Sequence, residues 1–166
     1  MAALLPDVDT LINRLADAIR PTLTPDTALV GIHSGGVWIA ERLHALLNIA
    51  TPLGTLSITH YRDDFSRIGL HPQAKPSRLP FEVEGRNVIV VDDVFYTGRT
   101  VRGAMHELFD YGRPASIELV VLIDRGGREL PIAADLVGAR LDLTNTQNIQ
   151  VTLDPYNQLK LSLHER

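Results

Sequence analysis

Asp92 and Asp93 stand side by side after the apolar run Val88-Ile89-Val90-Val91, and the turn Thr97-Gly98-Arg99-Thr100 follows them. A turn of this composition that opens a helix presents unpaired backbone N–H groups, two hydroxyls and no bulk at Gly98. With the positive end of the helix dipole behind it, such a turn cradles a phosphate. The Walker spacing Gly-x-x-x-x-Gly-Lys-Ser/Thr is absent. Two ionised carboxylates would repel a phosphate, but they are acceptor-only groups and suit vicinal hydroxyls. Asp92 and Asp93 therefore read as a ribose site one turn from a phosphate site. The competing, blander reading has them capping the loop and solvating a strand end.

The surrounding pattern supplies the elements that must hold these groups. Val8, Leu11, Ile12, Leu15 and Ile19 form one stripe of a helix over Asp7–Arg20, which Pro21 and Pro25 end. Ala28–Ile32 reads as a strand that stops at His33-Ser34-Gly35-Gly36. Helical spacing then resumes at Ile39, Leu43, Leu46 and Leu47. Leu53–His60 reads as a further strand, and Val88–Val91 and Leu119–Ile123 as strands apolar on both faces, which belong inside a largely parallel sheet. Thr100–Tyr111 is helical, with Val101, Ala104, Met105, Leu108 and Phe109 on one face and Gly112 as its stop. The tail alternates through Ile149, Val151 and Leu153, then Leu159, Leu161 and Leu163, as a hairpin turning at Asp154–Asn157.

Strands alternating with helices predict an α/β fold, an open sheet whose ligands sit beyond the carboxyl ends of its strands. Three junctions then matter: His33–Gly36, Asp92–Thr100 and Asp124–Glu129. Tyr61–Pro80 lacks periodicity, is longer than compact domains normally tolerate, and is locally basic through Arg62, Arg67, Lys75 and Arg78. A mobile basic lid is its functional reading, a plain surface loop the alternative.

The 166 residues suit one domain. Zero cysteines exclude disulfides, thiol nucleophiles and cysteine-based metal sites. Twenty acidic against 16 basic residues give a net charge of −4, and Lys75 and Lys160 are the only lysines, which weakens a nucleic-acid reading. The N-terminus lacks a basic region and carries Pro6, unlike a signal peptide, and no apolar run approaches the ~18 residues of a membrane span. The expected setting is the cytoplasm. His33, His44, His60, His71, His106 and His164 show no zinc-ligand spacing. Trp38 fits a core or subunit-contact position.

Val88–Thr100 resembles the phosphoribosyl pyrophosphate (PRPP) motif of type I phosphoribosyltransferases. The similarity is greatest to the PyrR family, bifunctional pyrimidine-operon regulators and uracil phosphoribosyltransferases. It extends to Gly31–Leu43, to Ile58–Ser66, to Gly112-Arg113-Pro114 and to Leu122–Ile132, most of the chain. The resemblance implies a single-domain phosphoribosyltransferase fold over 1–166: a central, largely parallel sheet flanked by helices, a flexible lid near 61–80, and a small hood from 124–150 and the last strands. It implies that Asp92 and Asp93 hold the ribose hydroxyls. Tyr96, Thr97, Gly98, Arg99 and Thr100 would hold the 5′-phosphate, and His33, Ser34, Gly35 and Gly36 would form the pyrophosphate loop. Arg62 and Arg78 would belong to the lid, and Arg125 and the backbone at Val151 to the nucleobase hood. The implied reaction joins uracil to PRPP as UMP. Mg²⁺ would be carried by PRPP near Asp92 and Asp93 rather than in a cage of its own. A homo-oligomer, dimer or tetramer, and a leader RNA of the pyrimidine operon are further implied partners.

Three positions depart from the family pattern. Ser34-Gly35-Gly36 stands where Thr-Arg-Gly is usual, so a guanidinium contact to pyrophosphate is missing at Gly35. Losing one such bond costs about 1.5–3 kcal/mol, one to two decades in rate, unless Arg62 or Arg78 substitutes. Gly127 replaces a common histidine in the hood, and Leu141-Asp142-Leu143-Thr144 replaces an Ile-Pro-Thr-Ser run. The expectation is a uracil phosphoribosyltransferase of reduced turnover. A non-catalytic sensor of UMP or PRPP, and a transferase for another nucleobase, are the alternatives.

Overall fold

The computed structural model describes residues 4–58 and 76–166. Helix α1, Val8–Ile19, begins at Asp7, whose carboxylate accepts the Thr10 amide at 3.0 Å, and buries the predicted stripe. Strand β1, Thr27–Ile32, is buried along its whole length, and α2 spans Gly35–Leu47. Then come β2 (Gly54–Leu56), β3 (Asn87–Phe95), α3 (Arg99–Tyr111), β4 (Ser116–Asp124) and β5 (Leu136–Arg140). Strands β6 (Gln147–Leu153) and β7 (Leu159–Glu165) close the chain.

Five strands form one parallel sheet in the order β2-β1-β3-β4-β5, while β6 and β7 pair antiparallel as a separate hairpin. Period-two alternation divides the core between the two faces of the sheet. Leu29, Ile89, Val91, Val120 and Leu122 pack with α1, α2 and the hairpin residues Ile149, Val151 and Leu159. Val30, Ile32, Val88, Val90 and Val121 pack on the other side with Val101, Ala104 and Leu108 of α3. Trp38 is packed against the first of these cores.

From β1 the sheet grows one way to β2 and the other way to β3, which makes the gap between the carboxyl ends of β1 and β3 a topological switch point. His33–Gly36 leaves one side of that gap and Asp92–Thr100 the other.

Three elements differ from the sequence reading. The strand expected over Leu53–His60 is confined to Gly54–Leu56 among the described residues, because its partner β1 ends at Ile32 and the ladder closes with His33 N–H donating to the Leu56 carbonyl. Strand β3 runs on through the acid pair to Phe95, since β4 is equally long and supplies partners up to Asp124. Asp92 and Asp93 thus lie inside the strand, not beyond it. Strand β5 was not expected; a β-carbon on its central Gly138 would meet the Leu122 carbonyl oxygen at 2.5 Å, so it packs too closely for a side chain there. On α3, Phe109 is 55% exposed rather than buried with Leu108.

The hairpin turns where the alternation places it. Asn157 takes a left-handed φ of 62°, and the Asp154 carboxylate accepts the amides of Gln158 at 2.9 Å and Tyr156 at 2.8 Å. The Gln158 amide first, then Tyr156 and the Lys160 ammonium, hold the Asp154 carboxyl below its ordinary range. A carboxyl depressed in the fold stabilises it above the unfolded value of about 3.9, and that contribution disappears as pH falls through the lower folded value. Asp154→Asn is therefore expected to flatten the acid limb of stability. Denaturant unfolding from about pH 5 to pH 2 checks this, and equal slopes for variant and parent would reject it.

Candidate active site

The first wall of the site is the β1–α2 junction. The His33–Ser34 peptide bond is cis, and Ser34 heads α2 with its carbonyl accepting the amides of Val37 and Trp38. The next two positions are glycine because the opposing strand leaves no room. A β-carbon on Gly36 would lie 2.6 Å from the Val91 carbonyl oxygen, and one on Gly35 would collide with the Asp93 carboxylate.

The second wall is the acid pair on β3. Asp92 is buried, and its carboxylate accepts the Asp93 amide at 2.9 Å; Asp93 in turn accepts the Val94 amide at 2.8 Å. Each carboxylate is thus oriented by the backbone immediately after it. Both line a cavity of about 510 Å³ together with His33, Ser34, Gly35, Tyr96 and Thr100.

The third wall is the head of α3. Gly98 reaches φ +95° and starts the helix without a side-chain cap, while Arg99 N–H donates to the Thr97 hydroxyl at 3.2 Å. The Thr97 carbonyl accepts the amides of Glu129 and Leu130, which ties this turn to the segment after β4. A smaller cavity of about 120 Å³ opens here, lined by Thr97, Gly98, Thr100 and Val101 with Asp92 and Tyr96. First-turn amides have no carbonyl partner within their helix, so this hollow favours an anion.

Above these walls sits Arg125, 4% exposed. Its guanidinium lies 3.9 Å from the Tyr96 ring centroid, Nη2 donates to the Thr144 carbonyl at 3.1 Å, and Nε is buried without a partner among the described residues. Asp124 braces the turn by accepting Gly126 N–H at 3.0 Å and holding Arg140 at 2.6 Å. Gly127, where histidine is common in the resembling family, has φ +89°, and a β-carbon on it would strike the Tyr96 ring. The space at residue 127 is taken by Tyr96, whose ring stacks on Arg125.

Most of the sequence-predicted residues converge. His33, Ser34, Gly35, Asp92, Asp93, Tyr96, Thr100 and Arg125 share the larger cavity, and Thr97 and Gly98 the smaller. Gly36 packs on β3 instead. The Arg99 side chain turns away to Glu129, 3.0 Å off. Val151 is buried in the core, and its neighbours Asn148 and Ile149 line the cavity. Arg78 exchanges both backbone hydrogen bonds with Thr55 and lines neither cavity, and Arg62 lies outside the described residues. Asn148, Ile149 and Arg166 were missed, since tail alternation reports which side is buried but not what the hairpin end covers. Among the described residues, no three His, Asp or Glu side chains cluster as a metal site, and no helix is long and apolar enough to cross a membrane.

Comparison with known proteins agrees with this arrangement. Residues 5–155 match the phosphoribosyl transferase domain family. The chain is 52% identical over 152 residues to the bifunctional protein PyrR of Nitrosococcus oceani, covering 88% of this chain and 86% of that one. It is 49% identical to the bifunctional protein PyrR of Pseudomonas syringae pv. syringae, with 89% of each chain covered. A solved hypoxanthine-guanine phosphoribosyltransferase from Bacillus anthracis shares the fold, with a TM-score of 0.68 at 20% identity over 86% of this chain and 85% of that one. A parallel sheet with its acid pair and anion hollow at the switch point, and this degree of identity over nearly nine-tenths of the sequence, lead to one assignment: the chain belongs to the phosphoribosyltransferase family, among its PyrR proteins.

Proposed function

We propose that this protein forms UMP and pyrophosphate from uracil and PRPP, and that the same nucleotide pocket couples it to control of pyrimidine genes. The observation that carries the reading is the union of two cavities. The anion hollow at α3 and the larger cavity over the acid pair share Asp92, Val94, Tyr96 and Thr100, so a sugar phosphate can span both. In this reading the 5′-phosphate sits on the Thr97–Thr100 turn, and Asp92 and Asp93 accept from the ribose hydroxyls. The pyrophosphate extends toward His33–Gly35, and the base lies beneath Arg125. Uracil itself is assigned from the resemblance of Asp124–Ile132 to the PyrR hood, and 61–80 as the lid from the same source.

The reaction breaks the bond between the anomeric carbon and pyrophosphate and forms one to uracil N1, whose proton is lost. Positive charge grows on the ribose ring in between, and two oriented carboxylates on the cavity wall stabilise it without having to reorganise. Their acceptor-only oxygens also suit Mg²⁺, which commonly takes one or two carboxylates plus substrate phosphates. Asp92 or Asp93 would hold that ion on the PRPP side, where it would neutralise charge on the leaving group. Tyr96 stacked on Arg125 presents an aromatic and cationic ceiling under which a planar base can orient and from which water is excluded.

The test is UMP formation from uracil, PRPP and Mg²⁺ with other nucleobases as competitors. Uracil-selective turnover is expected. Turnover confined to another base would overturn the substrate, and saturable UMP binding without any turnover would replace the enzyme by a nucleotide sensor.

A further inference from the structure

The wall at Gly35 brings no cation to the larger cavity, yet a pyrophosphate leaving group carries several negative charges. Among the described residues, the charged or titratable ones lining that cavity are His33, Asp92, Asp93, Tyr96, Arg125 and Arg166. Arg125 is buried and already committed to Tyr96 and Thr144. Arg166 differs from it. It stands one residue beyond β7, and its backbone is anchored by its N–H donating to the Thr146 carbonyl at 2.7 Å. Among the described residues its side chain has no hydrogen bond or ion pair, and it is exposed at the cavity.

We infer that, among the described residues, Arg166 supplies a guanidinium to the pyrophosphate group, in place of a loop arginine that Gly35 cannot supply. The inference rests on the transferase reading of the site. Arginine remains protonated at any working pH and offers paired donors matched to phosphate oxygens. A neutral base offers no charge to match, and Arg166 does not line the α3 hollow assigned to the 5′-phosphate, so the pyrophosphate end of the substrate is where this residue acts. The hairpin then has a second task besides covering the core: it carries a cation to a cavity that the β1–α2 loop also lines.

Calorimetric titration with inorganic pyrophosphate and Mg²⁺, and separately with UMP, tests this on the full chain. Arg166→Ala is expected to weaken pyrophosphate binding about tenfold to a hundredfold while leaving UMP affinity within about twofold, and Arg166→Lys to recover part of the loss. Unchanged pyrophosphate affinity in Arg166→Ala would overturn the inference. So would an equal fall in UMP affinity, because that marks a hairpin displaced as a whole. Neither readout requires catalysis: absence of UMP formation by the parent protein would reject the transferase reading while pyrophosphate binding still reports on Arg166.

Discussion

Gly35→Arg, which restores the arginine usual in the family's pyrophosphate loop, is expected to lower kcat/KM for PRPP about tenfold to a hundredfold rather than raise it. A β-carbon at this position collides with the Asp93 carboxylate, and lies 3.0 Å from the Asp93 β-carbon. The obstacle is a short side chain, so relief requires rotating Asp93 about its first torsion or moving the whole loop. Rotation abandons the hydrogen bond from the Val94 amide at 2.8 Å, which orients the carboxylate. The new guanidinium would also stand beside that carboxylate and pair with it in preference to a departing anion. Gly35→Ala separates the two effects, since it adds the steric conflict without the charge. Steady-state kinetics of both variants check the argument. A gain in kcat/KM for Gly35→Arg would show that the loop accommodates a side chain and that the missing arginine is a simple loss.

This conflict gives the departure at Gly35 a second meaning besides a lost contact. Read alone, Gly35 is an absent contact. Seen against β3, it is the seat of Asp93. The same holds for Gly127, which reads as a lost histidine but is the space into which Tyr96 packs to meet Arg125.

Features confined to one element were legible. The α1 stripe, the turn at Asp154, the doubly apolar strands and the Asp92–Thr100 junction depend on local pattern, and their physical meaning survives without a partner. What could not be read depends on which elements meet. Strand β5 escaped because five residues around a central glycine carry little pattern, while its identity comes from pairing with β4. The shortness of β2 follows from where β1 stops. Alternation marked Ile149 and Val151 as inward, but Val151 reaches the core and Ile149, with Asn148, reaches the cavity as well. Arg166 carried no sequence signal, because its place is set by the hairpin register that puts it beside Thr146.

Asp92→Asn is expected to reduce kcat about a hundredfold with the fold intact, and Asp93→Asn by about one decade or more. Asparagine keeps a carbonyl oxygen, so the amide of Asp93 or Val94 can still be accepted and the strand is not disturbed. It replaces the other oxygen with a donor, which cannot accept from a ribose hydroxyl and offers no negative charge to a developing cation. The buried Asp92 should suffer more, since its charge acts through less solvent. If the acids serve mainly the transition state, kcat falls further than PRPP affinity; if they serve mainly ground-state binding, the dissociation constant for PRPP rises and kcat holds. The double variant should fall short of the product of the two losses, because both groups address one sugar. Single-turnover rates together with PRPP titrations distinguish these cases, and thermal unfolding confirms that the variants remain folded. Unchanged turnover and PRPP affinity in both single variants would remove the acid pair from the mechanism and leave the α3 hollow as a phosphate site without its sugar.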